Sequence, residues 1–439
     1  MSANLPPNPN LTQLKNQAKD LLVAYQSGDS DAIDRVLAVY KPKSDVLTLR
    51  EAQQALAREY GFSSWQALVD KVKVDEDQLA VLKQVIDSND VERLRQMISD
   101  DPSLLDLPSG YDKAGPLTWA AECRGSATPP SGERLEIARI LMDAGADPNE
   151  HSGSPLMRAS LNDGRIPMME LLVSRGADVN TVWKTYGPMI FAPCETLAPK
   201  SIRWLIARGA DPNFEMKNPK YVGTAMDMAL CTYDGGDRKP CVTALIEGGA
   251  NFEDGPEMDI HRGRLDLLEN RLDESAALVH SHSMFRQSKE YGGLYGGCAL
   301  RNPTLLHICA EFGELEAARV LLSRGADVNA RAKADDAGVG TETPIFHTVT
   351  SNHNRCFELL EWLIENGADL TVRATVRVPK HGGPAFHDDD TVLEDVTPLG
   401  YVMHYPNDYQ PGPGSGNKGL DTNPHENVVA LLKAHGALE

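Results

Sequence analysis

The stretch from Pro303 to Arg331, PTLLHICAEFGELEAARVLLSRGADVNAR, decides the fold. Thr304 suits a helix N-cap, and the short apolar helix that follows it ends near Gly313. A second helix begins at Glu314, and its apolar residues recur at helical spacing: Ala317, Ala318, Val320, Leu321 and Leu322. Gly325 can take the left-handed conformation that ends a helix, and Ala-Asp-Val-Asn after it suits an outward turn. The stretch predicts a helix–turn–helix unit that must stack on similar units, because it is too small to bury its own apolar face.

The same unit recurs along the chain. Its ending, Gly-Ala-Asp or a variant, starts at Gly145, Gly176, Gly209, Gly249, Gly325, Gly367 and Gly436. Its opening, Thr-Pro-Leu or a variant, lies at 116–118, 155–156, 188–189, 224–226, 343–345 and 397–399. Glycine spacings of 31 and 33 residues fit one period, whereas 40, 42, 69 and 76 require insertions or a degraded unit. Seven endings in a common register indicate a repeat architecture.

These motifs resemble those of ankyrin-repeat proteins, whose repeat of roughly 33 residues starts with Thr-Pro-Leu-His-x-Ala. The resemblance implies an all-α solenoid of about eight to nine helix–turn–helix units over residues 76–439, in which each unit contacts only its neighbours. Long insertions interrupt the units, and those at 283–302 and 374–396 are the candidate functional fingers because long loops on a rigid scaffold are seldom inert.

Residues 1–75 lack the repeat ending and predict four helices. Two of them join at Ser27-Gly28-Asp29, a third ends at Gly61, and a fourth begins near Trp65. The segment resembles a helical region that precedes ankyrin repeats in bacterial proteins, which implies a bacterial origin. We interpret it as a cap over the first repeat, with a partner-docking domain as the alternative.

Composition restricts the partner classes. The 439 residues contain 63 acidic and 43 basic side chains, a net charge of −20. Nucleic acid and anionic membranes require a basic surface, so a protein or peptide partner of neutral or basic character is expected. Seven scattered cysteines without a Cys-x-x-Cys pair indicate a reducing compartment. No leader and no apolar run of about 20 residues is evident, and we expect a cytoplasmic protein without a membrane segment.

The common register also predicts which residues line a groove. Positions four and seven after the motif threonine share one face of the first helix. In ankyrin repeats this helix lines the concave surface, so by resemblance the two columns form its floor. The fourth-position column is Trp119, Arg158, Phe191, Met228, Ile308, His347 and Tyr401, and the seventh-position column is Glu122, Leu161, Cys194, Cys231, Glu311, Thr350 and His404. Aromatic anchors among a few charges are typical of recognition surfaces, although fingers folded over the groove would bury the same residues as core.

Few residues form a pattern typical of a catalytic or metal-binding site. His307 occupies the family's Thr-Pro-Leu-His position, where the resemblance implies hydrogen bonds between neighbouring units. His347 and His404, beside Glu311, are candidates for a metal or acid–base site, but no third ligand has motif spacing. The stretch HGGPAFHDDD (381–390) matches neither zinc nor calcium motifs, and a solvated finger is favoured. No nucleophile elbow, phosphate-binding loop or HExxH motif occurs.

Two functions follow from these patterns. The first is a non-enzymatic scaffold that recognises a protein or peptide through the groove and fingers. Its candidate binding residues are Trp119, Glu122, Arg158, Phe191, Met228, Glu311, His347, Tyr401 and His404. The second is an atypical enzyme, or a small-molecule or metal binder, with a pocket closed by the inserted loops over the groove histidines. The sequence assigns no catalytic residue, no metal ligand and no cofactor.

Overall fold

The computed structural model describes residues 11–42, 46–123, 129–183, 187–218, 221–232, 236–283, 300, 302–334, 337–351, 354–378, 391–404 and 425–439. Contacts divide the chain into two units. Unit 1 contains the residues up to Ala159 together with Gly164–Asp178. Unit 2 contains Ser160–Asp163 and the residues from Val179 onward.

Unit 1 begins with four helices, as predicted: α1 (Leu11–Gln26), α2 (Ser30–Val39), α3 (Leu49–Glu59) and α4 (Trp65–Asp87). Local signals set their ends. Asp29 accepts from the Ala32 N–H at 2.8 Å at the start of α2, and Thr48 forms a capping box with Glu51 at the start of α3. Helix α4 continues without a break across the domain boundary predicted at residue 75.

The rest of unit 1 contributes five more helices in its described residues: α5 (Val91–Asp100), α6 (Pro116–Ala121), α7 (Gly132–Asp143), α8 (Glu150–Ser160) and α9 (Ile166–Ser174). Helix α8 is interrupted by left-handed residues at 151–153. Short 3-10 turns cover Pro102–Asp106 and Tyr111–Lys113. Helix α6 packs on α4, which precedes it, and on α7, which follows it.

Unit 2 continues with α10 (Phe191–Glu195), α11 (Pro199–Ile206), α12 (Ala225–Cys231), α13 (Lys239–Glu247), α14 (Pro256–Arg262), α15 (Leu265–Glu274), α16 (Leu305–Phe312), α17 (Leu315–Ser323), α18 (Phe357–Glu365), α19 (Pro398–His404) and α20 (Glu426–Ala434). A 3-10 helix, Pro344–His347, replaces the first helix of one pair. The stretch that decided the fold forms α16 and α17, separated by left-handed Gly313 (φ 73°). Its buried apolar residues include Ala317, Ala318 and Leu321, as the helical spacing predicted.

The fold is mostly helical and adds three antiparallel hairpins that the all-α prediction omitted. They are β1 (Val182–Trp183) with β2 (Gly187–Pro188), β3 (Met216–Asn218) with β4 (Tyr221–Gly223), and β5 (Ala374–Val378) with β6 (Thr391–Val396). Each hairpin lies between the second helix of one pair and the first helix of the next. In β5 the alternate residues Ala374 and Val376 are buried, the period-two pattern of a half-buried strand. Twelve residues separate β5 from β6, so no short-turn signal marked this pairing in the sequence.

The turns that end the helix pairs are joined by asparagine side chains. Gly325 has φ 91°, and the N–H of Asn329 donates to Asp327 Oδ1 at 2.9 Å. The Asn329 amide then donates to the Gly367 carbonyl at 3.0 Å, and its oxygen accepts from the Asp369 N–H at 2.8 Å. Asn149 within unit 1 and Asn213 within unit 2 make the same pair of bonds to the following turn. One polar side chain thus satisfies two backbone groups of the next repeat.

None of the helices in the described residues is long and apolar enough to cross a membrane.

Candidate functional site

In unit 1, the predicted groove residue Trp119 is partly exposed on α6 and contacts two side chains of α4. Its indole Nε1–H donates to Asp87 Oδ1 at 3.0 Å, and the Lys83 ammonium lies 4.1 Å from the centroid of its ring. Cation–π attraction and a directed hydrogen bond together fix the orientation of the indole. Trp119 is therefore a rigid aromatic side chain with an accessible surface.

Glu122, at the end of α6, and Arg158 of α8 are two further predicted groove residues, and the structure joins them in an ion pair. The Glu122 side chain is 4% exposed and that of Arg158 is 19% exposed. The Arg158 guanidinium also stacks over the ring of Tyr111 at 4.7 Å. Since Glu122 follows Trp119 by three residues, the two groups are neighbours on one helix face. We call the surface formed by Lys83, Tyr111, Trp119, Glu122 and Arg158 the Trp119 face.

In unit 2 the predicted aromatic anchors are not exposed. The solvent-exposed fractions of Phe191, Met228 and Tyr401 are 5%, 8% and 0%. These side chains therefore pack in the core. Gly187 of β2 lies so close to Phe191 that an added Cβ would approach the ring to 2.8 Å. The expectation that these three side chains are free to anchor a partner is thus corrected: Phe191 lies against β2, and Tyr401 shares an apolar cluster with Phe346 and with Val376 of β5.

His307 has the bridging role that the family resemblance implied. Its ring is completely buried, with Nδ1 2.8 Å from Thr304 Oγ1 and Nε2 3.1 Å from the Glu342 carbonyl oxygen. The bonds join the start of α16 to the segment that precedes the next repeat. Burial, followed by the Coulombic effect of His347, lowers the pKa of His307 to about 3. The ring is therefore neutral and structural.

Glu311 and His347, predicted to lie together, are in contact. His347 Nδ1 is 2.9 Å from Glu311 Oε2, and its Nε2 is 3.8 Å from Glu342 Oε1. Arg355 Nη2 donates to the Glu311 carbonyl at 3.0 Å. The His347 side chain has no exposure, so a substrate in solution has no access to it in this conformation.

His404 does not share this environment. It is exposed at the end of α19, and its Nδ1 lies 2.7 Å from the Gly400 carbonyl oxygen. Within the part of the chain that the structure describes, no group of three His, Cys, Asp or Glu side chains is placed to hold a metal ion. His347 is thus buried and His404 is exposed, and a joint site of the two histidines stays a prediction.

Other predicted features lie outside the residues that the structure describes, or are buried. The stretch 381–390, the stretch 405–424 and most of the finger at 283–302 lie outside the described residues. Burial raises the pKa of the Cys194 thiol well above its usual value, with a further contribution from Cys241. This thiol is thus protonated and inert rather than poised for redox chemistry.

Sequence reasoning missed two buried polar residues that organise unit 1. Glu150 Oε1 accepts from the Thr118 N–H at 3.0 Å and from the Thr118 hydroxyl at 2.6 Å, which holds the start of α6. Arg134, with no side-chain exposure, donates to Asn89 Oδ1 at 2.7 Å and to the Ile86 carbonyl at 2.8 Å. The sequence did contain a signal for Arg134, because it is a charged residue on the apolar side of α7.

Comparison with known proteins bears on the repeat. The ankyrin repeat family model matches residues 303–333, the stretch that decided the fold. The crystal structure of the human ASB11 ankyrin repeat domain is similar to this chain at 17% sequence identity, over 65% of this chain and 99% of that domain, with a TM-score of 0.30. The comparison with curated proteins finds no relative.

Proposed function

We propose that this chain, being an ankyrin-repeat protein, is a non-enzymatic scaffold that binds a protein or peptide partner through the Trp119 face of unit 1. Ankyrin repeats generally mediate protein–protein interaction, and fold alone does not identify the partner. A location in the cytoplasm stays a prediction from cysteine usage.

One observation carries the choice of surface. Trp119 and Arg158 keep accessible area, whereas Phe191, Met228 and Tyr401 of the same column are buried within unit 2. Aromatic and arginine side chains held rigidly by their neighbours are the groups that most often dominate binding energy, since little rotamer entropy remains to be lost.

The second hypothesis, an enzyme or ligand pocket over the groove histidines, lacks such an observation. It requires His347 and His404 to act together, but His347 is buried against Glu311 and His404 is exposed on α19. We therefore propose the scaffold and not the pocket.

Site-specific photocrosslinking tests the proposal. The full chain carries p-benzoylphenylalanine at position 83 or, as a matched control, at exposed position 203 of α11 in unit 2. We expect a partner from the native lysate to crosslink at position 83 and not at 203. Trp119→Ala should reduce that yield at least tenfold, the loss typical of a hot-spot aromatic. Equal labelling from both positions, or a yield unaffected by Trp119→Ala, would contradict the assignment.

A further inference from the structure

Trp119 is oriented by a helix that lacks the repeat motif. Its indole N–H donates to Asp87 Oδ1 at 3.0 Å, and Asp87 is the last residue of α4. The other end of α4 packs against the N-terminal helices, because Leu68 and Val72 share an apolar cluster with residues of α1 and α3. Since α4 is continuous, one helix connects that apolar cluster to the indole of Trp119.

The buried side chain of Arg134, on α7, holds the end of α4 that carries Asp87. Arg134 Nη2 donates to the Ile86 carbonyl at 2.8 Å and lies 3.4 Å from the Asp87 carbonyl oxygen. Its Nε donates to Asn89 Oδ1 at 2.7 Å, and Asn89 has a left-handed backbone, φ 58°, just beyond the helix. The guanidinium therefore fixes the backbone turn at which α4 ends.

The same guanidinium also reaches α6, which carries the indole. Arg134 Nη1 lies 3.5 Å from the carbonyl oxygen of Ala120, the residue after Trp119. Arg134 Nη2 lies 4.0 Å from Asp87 Oδ1, the atom that accepts from the indole. A guanidinium without exposure cannot exchange these acceptors for water, so breaking them is costly. Arg134 thus sets the separation of the two helix ends that the Trp119–Asp87 bond joins.

We propose that Arg134 is a positioning residue for the Trp119 face, and that the N-terminal helical segment, through α4, is part of the binding site rather than only a cap. This inference rests on the proposed function. Arg134 is buried and cannot contact a partner, so it acts by holding Asp87, which in turn orients the indole. A preorganised aromatic side chain loses little rotamer entropy on binding, and releasing it weakens binding without removing a contact.

Hydrogen exchange of the Trp119 indole N–H tests the positioning without a partner. Nitrogen-15 labelling of the five tryptophans of the full chain gives five indole resonances, and Trp119→Phe identifies the one of Trp119. Asp87→Leu should accelerate exchange of this proton about tenfold, because it removes a charged acceptor. Arg134→Met should have the same effect, although it leaves Asp87 in place. Unchanged exchange in a natively folded Arg134→Met variant would overturn the inference.

A second variant covers the case in which Arg134→Met does not fold. Asn89→Gly removes the acceptor of Arg134 Nε but suits the left-handed backbone at this position. It should also accelerate exchange of the Trp119 indole N–H. Exchange as slow as in the wild type would refute the role of Arg134 in holding the end of α4.

Matched controls separate positioning from a general loss of stability. Ile137 lies one turn along α7 from Arg134 and is likewise fully buried, but its side chain is apolar. Ile137→Ala should destabilise unit 1 in urea, while exchange of the Trp119 indole changes less than about twofold. Asp87→Asn retains an oxygen acceptor and should recover most of the protection lost in Asp87→Leu. An equal acceleration in Ile137→Ala would contradict a specific role for Arg134.

A partner readout distinguishes failure of this inference from failure of the proposed function. The crosslinking yield from position 83 should fall at least about tenfold in Asp87→Leu and in Arg134→Met. The double variant should lose no more than either single variant, because both act through one indole bond. Losses that multiply would overturn the route through Asp87. Faster indole exchange with an unchanged yield would leave the positioning intact and overturn the role of Trp119 in binding, and with it the proposed function.

Discussion

Acidification should loosen the junction at α16 through the buried imidazole of His307. The neutral ring occupies its site with a hydrogen-bonding partner at each nitrogen, Thr304 and the Glu342 carbonyl. A second ring proton would have no acceptor at a position already used to accept, and burial penalises the charge. Hence the pKa of His307 is lowered from 6.5 to about 3.

Linkage gives the sign and the size of the effect. An unfolded histidine binds a proton below about pH 6.5, whereas folded His307 binds one only near pH 3. The stability that His307 contributes is therefore fully present above pH 6.5 and is lost as the pH falls toward 3. Between pH 7.5 and pH 5 the loss amounts to about 2 kcal/mol, because the opened state alone gains the proton.

Hydrogen exchange detected by mass spectrometry measures the local free energy of opening on peptides that cover α16. After correction for intrinsic exchange, the opening free energy of the wild type should fall by about 2 kcal/mol more than that of His307→Gln over this pH range. His404→Gln, which removes an exposed histidine, should retain the wild-type response. If wild type and His307→Gln lost the same free energy, the buried imidazole would not be the origin of the pH dependence.

Substitutions at Asn329, Arg134 and Gly187 test the packing, with Gly28→Ala as a control. Asn329→Ala removes both bonds to the following turn and should cost about 1–3 kcal/mol, visible as faster exchange in that turn. Arg134→Ala should cost about 3–5 kcal/mol and Arg134→Met less, in urea unfolding of unit 1 signals, because Met refills the volume without leaving donors to satisfy. Gly187→Ala (φ 101°) should destabilise more than Gly28→Ala (φ 83°), since an added Cβ reaches 2.8 Å from Phe191 only in the first case. Equal melting temperatures for the two glycine variants would contradict contact with the Phe191 ring.

Helix positions were predictable because their signals are local. The four N-terminal helices follow from apolar spacing and from glycines such as Gly28 and Gly61, both left-handed in the structure. The bridging role of His307 followed from its motif position. Glycine at the end of each helix pair, followed by Ala-Asp, likewise specified the turn that the next repeat packs against. Such contacts join neighbouring repeats, so a short sequence window contains most of the information.

The candidate site was predictable only in part. The common register placed Glu311 beside His347, as the structure has them, and put Glu122 and Arg158 in the same groove without predicting their ion pair. It gave no means of deciding which column residues remain exposed, because exposure depends on what packs against each side chain from outside its own unit. Lys83, which stacks on Trp119, belongs to a helix without the repeat motif. No periodic pattern pointed to that contact.

The sequence by itself determined the repeating helix pair, its turns and the common phase of its first helices, since these depend on apolar spacing and on backbone conformations that glycine permits. Only the tertiary structure decided that Phe191 and Tyr401 are core whereas Trp119 and Arg158 keep accessible surface. The physical reason is that burial is a property of everything packed against a side chain. Equivalent positions in successive repeats pack against different neighbours, so residues in the same register differ in exposure.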